Sequence, residues 1–261
     1  MSIWNRTGSC CFLFFFLLYG LSAQPEYTTG LIFDDAAFQT LQTIPEDFGD
    51  GGAKSDELPF QTDLRPFCPP VTQQGKIGSC VGHAAAAALT VAYAKQLNWA
   101  TPVIQERYFS ALFIYNQIKV NQSCDAGATL EKAGAFLKSY GDVASGEFDH
   151  VYPDCSRQPE TGLSRKAKAY VIKDYYALFS SFDSHNKKIY QTKKALAEGN
   201  PVLVGMAIRR NFKTPENGFW NPDAGDNAPW GGHALVVVGY NDSKGAFLIR
   251  NRWGPNWGED G

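Results

Sequence analysis

Gln74-Gly75-Lys76-Ile77-Gly78-Ser79-Cys80 runs directly into Val81-Gly82-His83 and an alanine-rich stretch ending at Leu97. Beyond Gly82 that stretch contains neither Gly nor Pro. Alanine has the best helix propensity, and apolar residues on every face mark a helix buried all round. The loop therefore delivers Cys80 to the head of a buried helix. Unpaired N–H groups and the positive end of the helix dipole lower a thiol pKa there, and the thiolate is the reactive form. Position alone leaves two readings open, a small core cysteine or an activated nucleophile. Gly75 and Gly78 permit a tight backbone that brings the loop against a substrate. The Gln74 amide and the Cys80 backbone N–H are two donors suited to the oxyanion of a tetrahedral intermediate.

A nucleophilic thiol needs a base, and the chain has four histidines, His83, His150, His185 and His233. His83 lies three residues beyond Cys80 on the same helix and reads as a helix histidine beside the core. His150 and His185 stand in polar, loop-like sequence. His233 differs, because Gly231-Gly232 precede it and Ala234-Leu235-Val236-Val237-Val238 follow. That predicts an imidazole fixed at the mouth of a buried strand, a good setting for a general base. The next strand ends at Asn251 after the Asn241-to-Gly245 turn, so a hairpin brings its amide beside His233 to hold one tautomer. The Trp253 indole is placed to shield that bond. Cysteine, histidine and asparagine on three special segments predict thiol-based acyl chemistry.

Outward from these segments, the first half reads as helical: Val81 to Leu97, then helices around Gln105 to Lys119 and Ala128 to Tyr140. The second half reads as short strands at Ala169 to Leu178, Pro201 to Ile208, Ala234 to Tyr240 and Ala246 to Asn251. One helix, Lys187 to Glu198, interrupts them. A helical half followed by an antiparallel β half predicts an α+β fold of two lobes with a cleft between them. Leu58 to Pro70 reads as an extended segment.

At 261 residues the chain can bury a large core, and its net charge of −2 without a basic run gives no support to nucleic-acid binding. Arg6, the apolar run Cys11 to Leu18 and the small residues Leu21-Ser22-Ala23 read as a signal peptide over 1–23, too short to span a bilayer comfortably. The mature protein is thus expected to be exported, secreted or periplasmic, without stable membrane insertion. Residues 24–57 read as a leader or short propeptide. Outside the signal, Cys68, Cys80, Cys124 and Cys155 remain. With Cys80 free, a Cys124–Cys155 disulfide is favoured, since both lie in one loop-rich stretch and export permits oxidation. No C-x-x-C pair accompanies the scattered histidines, so no metal site and no cofactor is expected.

The sequence resembles the papain-like cysteine peptidases. The resemblance rests on Gln-Gly-x-x-Gly-Ser-Cys at 74–80, Gly-His-Ala-Leu at 232–235 and Asn-Arg-Trp-Gly-Pro-Asn-Trp-Gly-Glu-Asp-Gly at 251–261. Weaker echoes are Asp63-Leu64-Arg65, Cys124-Asp125-Ala126-Gly127 and Tyr152-Pro153. It implies a papain-like peptidase domain over 58–261, with a helical lobe at about 71–160 and a β lobe at about 161–261. It also implies Cys80 as nucleophile, His233 as base, Asn251 as orienting residue and Gln74 as oxyanion donor. Gly127, Gly232 and Trp253 become candidate substrate contacts, Gly127 similar to the glycine that pairs with extended substrate backbone and Trp253 to the indole on the leaving-group side. Protein or peptide substrates, a thioester intermediate and a monomer follow from the same likeness. Departures stand at Ile77, where the family usually has Cys, at Val81, where it has Trp, and at Arg252, where Ser is common. Residues 24–57 are shorter than the long helical propeptide of many members. The sequence stops just after Trp257-Gly258, where the family normally adds further strands, so an incomplete β lobe is expected. Two alternatives use the same residues: a catalytically silent binding protein of this fold, and a thiol acyltransferase or transglutaminase-like enzyme.

Overall fold

The structure, a computed structural model, describes residues 27–44, 57–149 and 154–261. The expected signal peptide, residues 24–26 and 45–56 of the leader, His150 and the Tyr152-Pro153 pair lie outside the described residues. In chain order, α1 (Asp35–Thr40) and β1 (Gln61–Asp63) precede α2 (Cys80–Gln96), α3 (Thr101–Arg107), α4 (Ala111–Ile118), α5 (Leu130–Ser139) and α6 (Ser145–Phe148). Then follow α7 (Thr161–Ala167), α8 (His185–Ala197), β2 (Val202–Arg209), β3 (Pro229–Asn241) and β4 (Ala246–Arg250). The α+β class read from the sequence is the observed one. Strand β3 is the spine of a four-stranded antiparallel sheet and pairs with β1, β2 and β4.

Helix α2 is the central post of the molecule, with Cys80, Val81, Ala84 to Ala87, Leu89, Val91 and Ala94 all buried. One cluster joins all of these but Ala94 to Leu112 to Tyr115 on α4, Phe136 on α5 and Val236 to Val238 on β3. A Cβ at Gly82 would lie 2.5 Å from the Ala111 carbonyl oxygen, so glycine there sets how closely α2 and α4 approach. The helix thus carries its first residue into the seam between the other helices and the sheet.

The sequence reading needs three corrections. The single helix expected around Gln105 to Lys119 is two, α3 and α4, because Phe109 bridges to Ala144 and the Ser110 hydroxyl caps α4 by accepting from the Phe113 N–H. The strand expected at Ala169 to Leu178 does not form. Lys168–Tyr170 is a 3₁₀ turn, and a single bridge, Thr43 to Ala177, follows. Tyr170 instead packs edge-on against Tyr93 and Phe109, and Tyr175 covers Gly134 of α5, so the aromatics of this stretch serve helices rather than a sheet. Third, β3 starts at Pro229, which puts His233 inside a strand, opposite Met206, rather than at its mouth.

Cys124 and Cys155 form a disulfide, with Cα atoms 5.5 Å apart and a sequence separation of 31. Cys68 and Cys80 are free. A cross-link of this span is worth about 2–4 kcal/mol through restriction of the unfolded chain. The double variant Cys124→Ser/Cys155→Ser is therefore expected to melt about 5–15 °C lower in calorimetry. A melting temperature unchanged within error would mean that the bridge contributes no net stability.

Candidate active site

Cys80 is the first residue of α2 and only 1% exposed. Burial pushes its thiol up to about 12, outweighing the backbone N–H groups of Ala234, Val81, Cys80 itself and Leu31 that draw it down. Gln74, at the start of the loop that leads into α2, is fully buried. Its backbone N–H donates to the Arg252 carbonyl at 2.8 Å, which ties the loop to the chain after β4. Its side-chain amide donates to the Thr28 hydroxyl and the Ile77 carbonyl, both at 3.2 Å.

The β3–β4 hairpin brings Asn251 beside His233, with His233 Nε2 and Asn251 Oδ1 2.9 Å apart. The same Oδ1 accepts from the Arg252 backbone N–H at 2.8 Å, which identifies it as oxygen. An oxygen accepts only, so Nε2 carries the imidazole proton and donates it. That leaves His233 Nδ1 as an unprotonated base, and it has no hydrogen-bond partner among the described residues. The Trp253 indole stacks on the imidazole at 4.6 Å between centroids and excludes water from the pair. Burial lowers the His233 pKa to about 4, against the opposing pull of Asn251. Gln74 Oε1 and Asn251 Nδ2 are likewise buried without partners among the described residues, a concentration of unmet polar groups that structural cores avoid.

Residues 27–33 cross this constellation, and nothing in their sequence pattern announced it. Tyr27 stacks on Trp253 at 4.5 Å, and the Trp253 Nε1–H donates to the Thr28 carbonyl. The Thr28 hydroxyl donates to the Gly75 carbonyl and, more weakly, to that of Ile77. Gly30 and Leu31 N–H groups donate to the Gly232 carbonyl, while Ala128 N–H donates to Gly30 and Ile32 N–H to Ala128. Leu31 is buried, in a parallel bridge with Ala128. A Cβ at Gly127 would meet the Gly30 oxygen at 2.4 Å, and one at Gly232 the Leu31 oxygen at 2.5 Å. Both glycines are there because main chain passes against main chain. Gly127 itself does not pair with the segment: its carbonyl accepts from Val120, and Ala128 makes the ladder bonds.

The chain matches the papain family cysteine protease model over residues 58–261. It belongs to that family. Among curated relatives of this papain-family chain, Zingipain-2 of Zingiber officinale is 30% identical over 213 residues, covering 79% of this chain and 86% of its own. Cysteine proteinase 3 of Solanum lycopersicum is 29% identical over 210 residues, 78% of this chain and 55% of its own. A peptidase C1-like protein of Acanthamoeba polyphaga mimivirus is 29% identical, over 72% of this chain and 61% of its own length. The chain thus spans only 55–61% of the length of these last two relatives. The crystal structure of xylellain, a cysteine protease from Xylella fastidiosa, superposes with a TM-score of 0.69 at 28% identity, over 89% of this chain and 87% of that one. Procathepsin B S9 from Trypanosoma congolense, at 18% identity and a TM-score of 0.65, shares the fold.

Against the papain-family pattern, Ile77 and Val81 are both buried core residues, 5% and 0% exposed. Arg252 is buried too, and its main chain holds Gln74 on one side and the Asn251 amide on the other. Sequence reading marked Arg252 only as a departure; its position between two site residues was the available signal. Among the described residues, no helix is long and apolar enough to cross a membrane, and no cluster of His, Cys, Asp and Glu is arranged to hold a metal ion.

Proposed function

We propose that the protein is an exported cysteine peptidase, and that Cys80, His233, Asn251 and Gln74 carry out the hydrolysis. The observation that carries this reading is the tautomer of His233, with Nε2–H committed to Asn251 under Trp253 and Nδ1 left as the base. In the first half-reaction His233 Nδ1 takes the Cys80 thiol proton and the sulfur attacks the scissile carbonyl carbon. The resulting oxyanion accepts from the Gln74 side-chain amide and the Cys80 backbone N–H. The imidazolium then protonates the departing amine, leaving a thioester on Cys80. Water, deprotonated by the same imidazole, attacks the thioester and releases the acid and the thiol.

Residues 27–33 fill the cleft in this reading. The Thr28 hydroxyl occupies the Gln74 donor that the oxyanion requires. The segment runs from Trp253, on the leaving-group side by family likeness, toward Ala128 on the acyl side. That direction opposes a substrate's, so the segment blocks the thiol without offering it a correctly oriented bond. It is a short inhibitory propeptide that must move before protein or peptide substrates enter.

The test is cleavage of an unfolded protein by the reduced chain after the segment has been displaced, with and without prior alkylation of Cys80. Fragments that disappear on alkylation support hydrolysis, and their absence from the reduced protein overturns it. Failure of an epoxide to label Cys80 would favour the silent binding protein, and transfer to added amines in place of hydrolysis would favour the acyltransferase. Asn251→Ala is expected to lower kcat by about 10²-fold with KM little changed, because the imidazole loses its fixed tautomer rather than its substrate contacts. An unchanged kcat would remove Asn251 from the scheme. Sequencing the N-terminus of the exported protein checks the signal peptide through the expected new end at Gln24.

A further inference from the structure

Behind the catalytic loop, on the far side of Arg252, lies a cavity of about 210 Å³. At liquid density that is room for about seven waters, enough for a small organic molecule. Cys80, His233, Asn251 and Gln74 do not line it, so it is separate from the cleft. Its walls join the apolar Ala86, Ala87 and Phe109 to the polar groups of Arg252 and His83.

Arg252 is only 6% exposed, and burial together with the neighbouring Arg250 brings its guanidinium down to about 9, still protonated at neutral pH. Among the described residues the guanidinium has no carboxylate within ion-pair distance, and its one side-chain hydrogen bond runs from Nη1 to the Asn251 carbonyl at 3.2 Å. Removing a charge from water without a counter-charge costs several kcal/mol, about as much as any single defect a fold tolerates. His83, also 6% exposed, leaves Nε2 without a partner among the described residues. Asp149 reaches the cavity wall but is already engaged, accepting from the Ser110 and Ser145 hydroxyls and the Ala111 and Leu112 N–H groups.

We propose that this cavity binds a small organic monoacid, its carboxylate on the Arg252 guanidinium and its apolar body against Ala86, Ala87 and Phe109. The planar guanidinium fork matches a carboxylate, and the His83 side chain forms part of the wall beside it. The apolar walls favour a carboxylate with a hydrocarbon body over an inorganic oxyanion, and the engaged Asp149 carboxyl offers no free donor to a second carboxylate. Exposed Gln73, next to Gln74, stands at the rim and marks the entrance. Because Arg252 main chain contacts both Gln74 and Asn251, the ligand sits one residue behind the catalytic groups. The site does not depend on the hydrolytic reading.

The experiment titrates the full chain carrying Cys80→Ala, which prevents self-cleavage, with benzoate and, separately, with benzamide at constant ionic strength, following thermal unfolding. Benzoate is expected to raise the melting temperature saturably, by about 5–10 °C at a hundredfold excess over Kd, and benzamide by less than a tenth of that. Ala87→Leu fills the cavity and Arg252→Gln removes the charge; whichever folds, by circular dichroism, should lose the benzoate shift. Hydrogen exchange on the parent protein is expected to slow in residues 83–87 with benzoate bound. The proposal is overturned by no saturable shift up to about 10 mM benzoate, well into the weak-binding range. An equal response to benzamide, or a shift retained in either folded variant, overturns it as well.

Discussion

Cys80→Ala and His233→Ala are each expected to lower kcat/KM for peptide hydrolysis by about 10⁵-fold or more, close to 7 kcal/mol of transition-state stabilisation. In the proposed scheme the thiol forms the covalent bond and the imidazole moves the proton both into and out of the thioester, so neither would retain much value without the other. The double variant should consequently be no worse than either single one, whereas independent contributions would multiply. Far-UV circular dichroism should remain that of the parent for Cys80→Ala, since the change removes one sulfur from the start of an alanine-rich helix. Activity within tenfold of the parent in either single variant would sink the nucleophile–base assignment.

Gly30→Val is expected to raise the rate of Cys80 alkylation at pH 7 by about 10²–10³-fold, and with it peptidase activity. Gly30 has φ of +156°, and a Cβ there would lie 2.1 Å from the Gly78 carbonyl oxygen, so valine cannot enter without lifting residues 27–33 off the nucleophile loop. With the segment docked, the Cys80 thiol stands at about 12, and its labelling should climb tenfold per pH unit across the neutral range. Opening exposes it to water at a helix head beside an imidazole, and the labelling rate should then flatten. The gain in thiolate is partly offset because a less basic thiolate is a weaker nucleophile, which sets the net figure. His233 gives the docking its own pH dependence. Its pKa of about 4 in the docked state lies below the ordinary value of about 6.5, so between those limits the open state binds more protons. Lowering the pH therefore favours opening, by up to tenfold per pH unit from about 6.5 towards 4, and raising it restores docking. Acid-induced labelling of Cys80 that is absent in Gly30→Val would support this account. A docked state equally closed at pH 4 and pH 7 would exclude His233 as the sensor.

The helix that presents Cys80 was legible because alanine propensity and the break at Gly78 act locally, and α2 begins at Cys80 itself. The hairpin that joins His233 to Asn251 was legible because its strands are β-rich and its turn is built of Asn, Asp and Gly. The same local rules misread Ala169 to Leu178, where Tyr170 and Tyr175 found helices to pack on instead of a strand partner. The break between α3 and α4 was missed because it depends on Phe109 bridging to Ala144, thirty-five residues away in sequence.

The sequence by itself determined the order and spacing of the thiol, imidazole and amide, the class of the fold and the likeness to one family. The fold class follows from propensity, periodicity and turn chemistry over a few residues, and the likeness from the motifs at 74–80, 232–235 and 251–261. Only the tertiary structure decided that residues 27–33 lie across Cys80 and that Arg252 and His83 share a cavity behind it. The segment at 27–33 has little periodic pattern, and its docking depends on main-chain atoms of Gly78, Ala128 and Gly232 that become neighbours only when the chain closes. A charge such as Arg252 reads as solvated in any local window, and only the packing around it shows that it is buried.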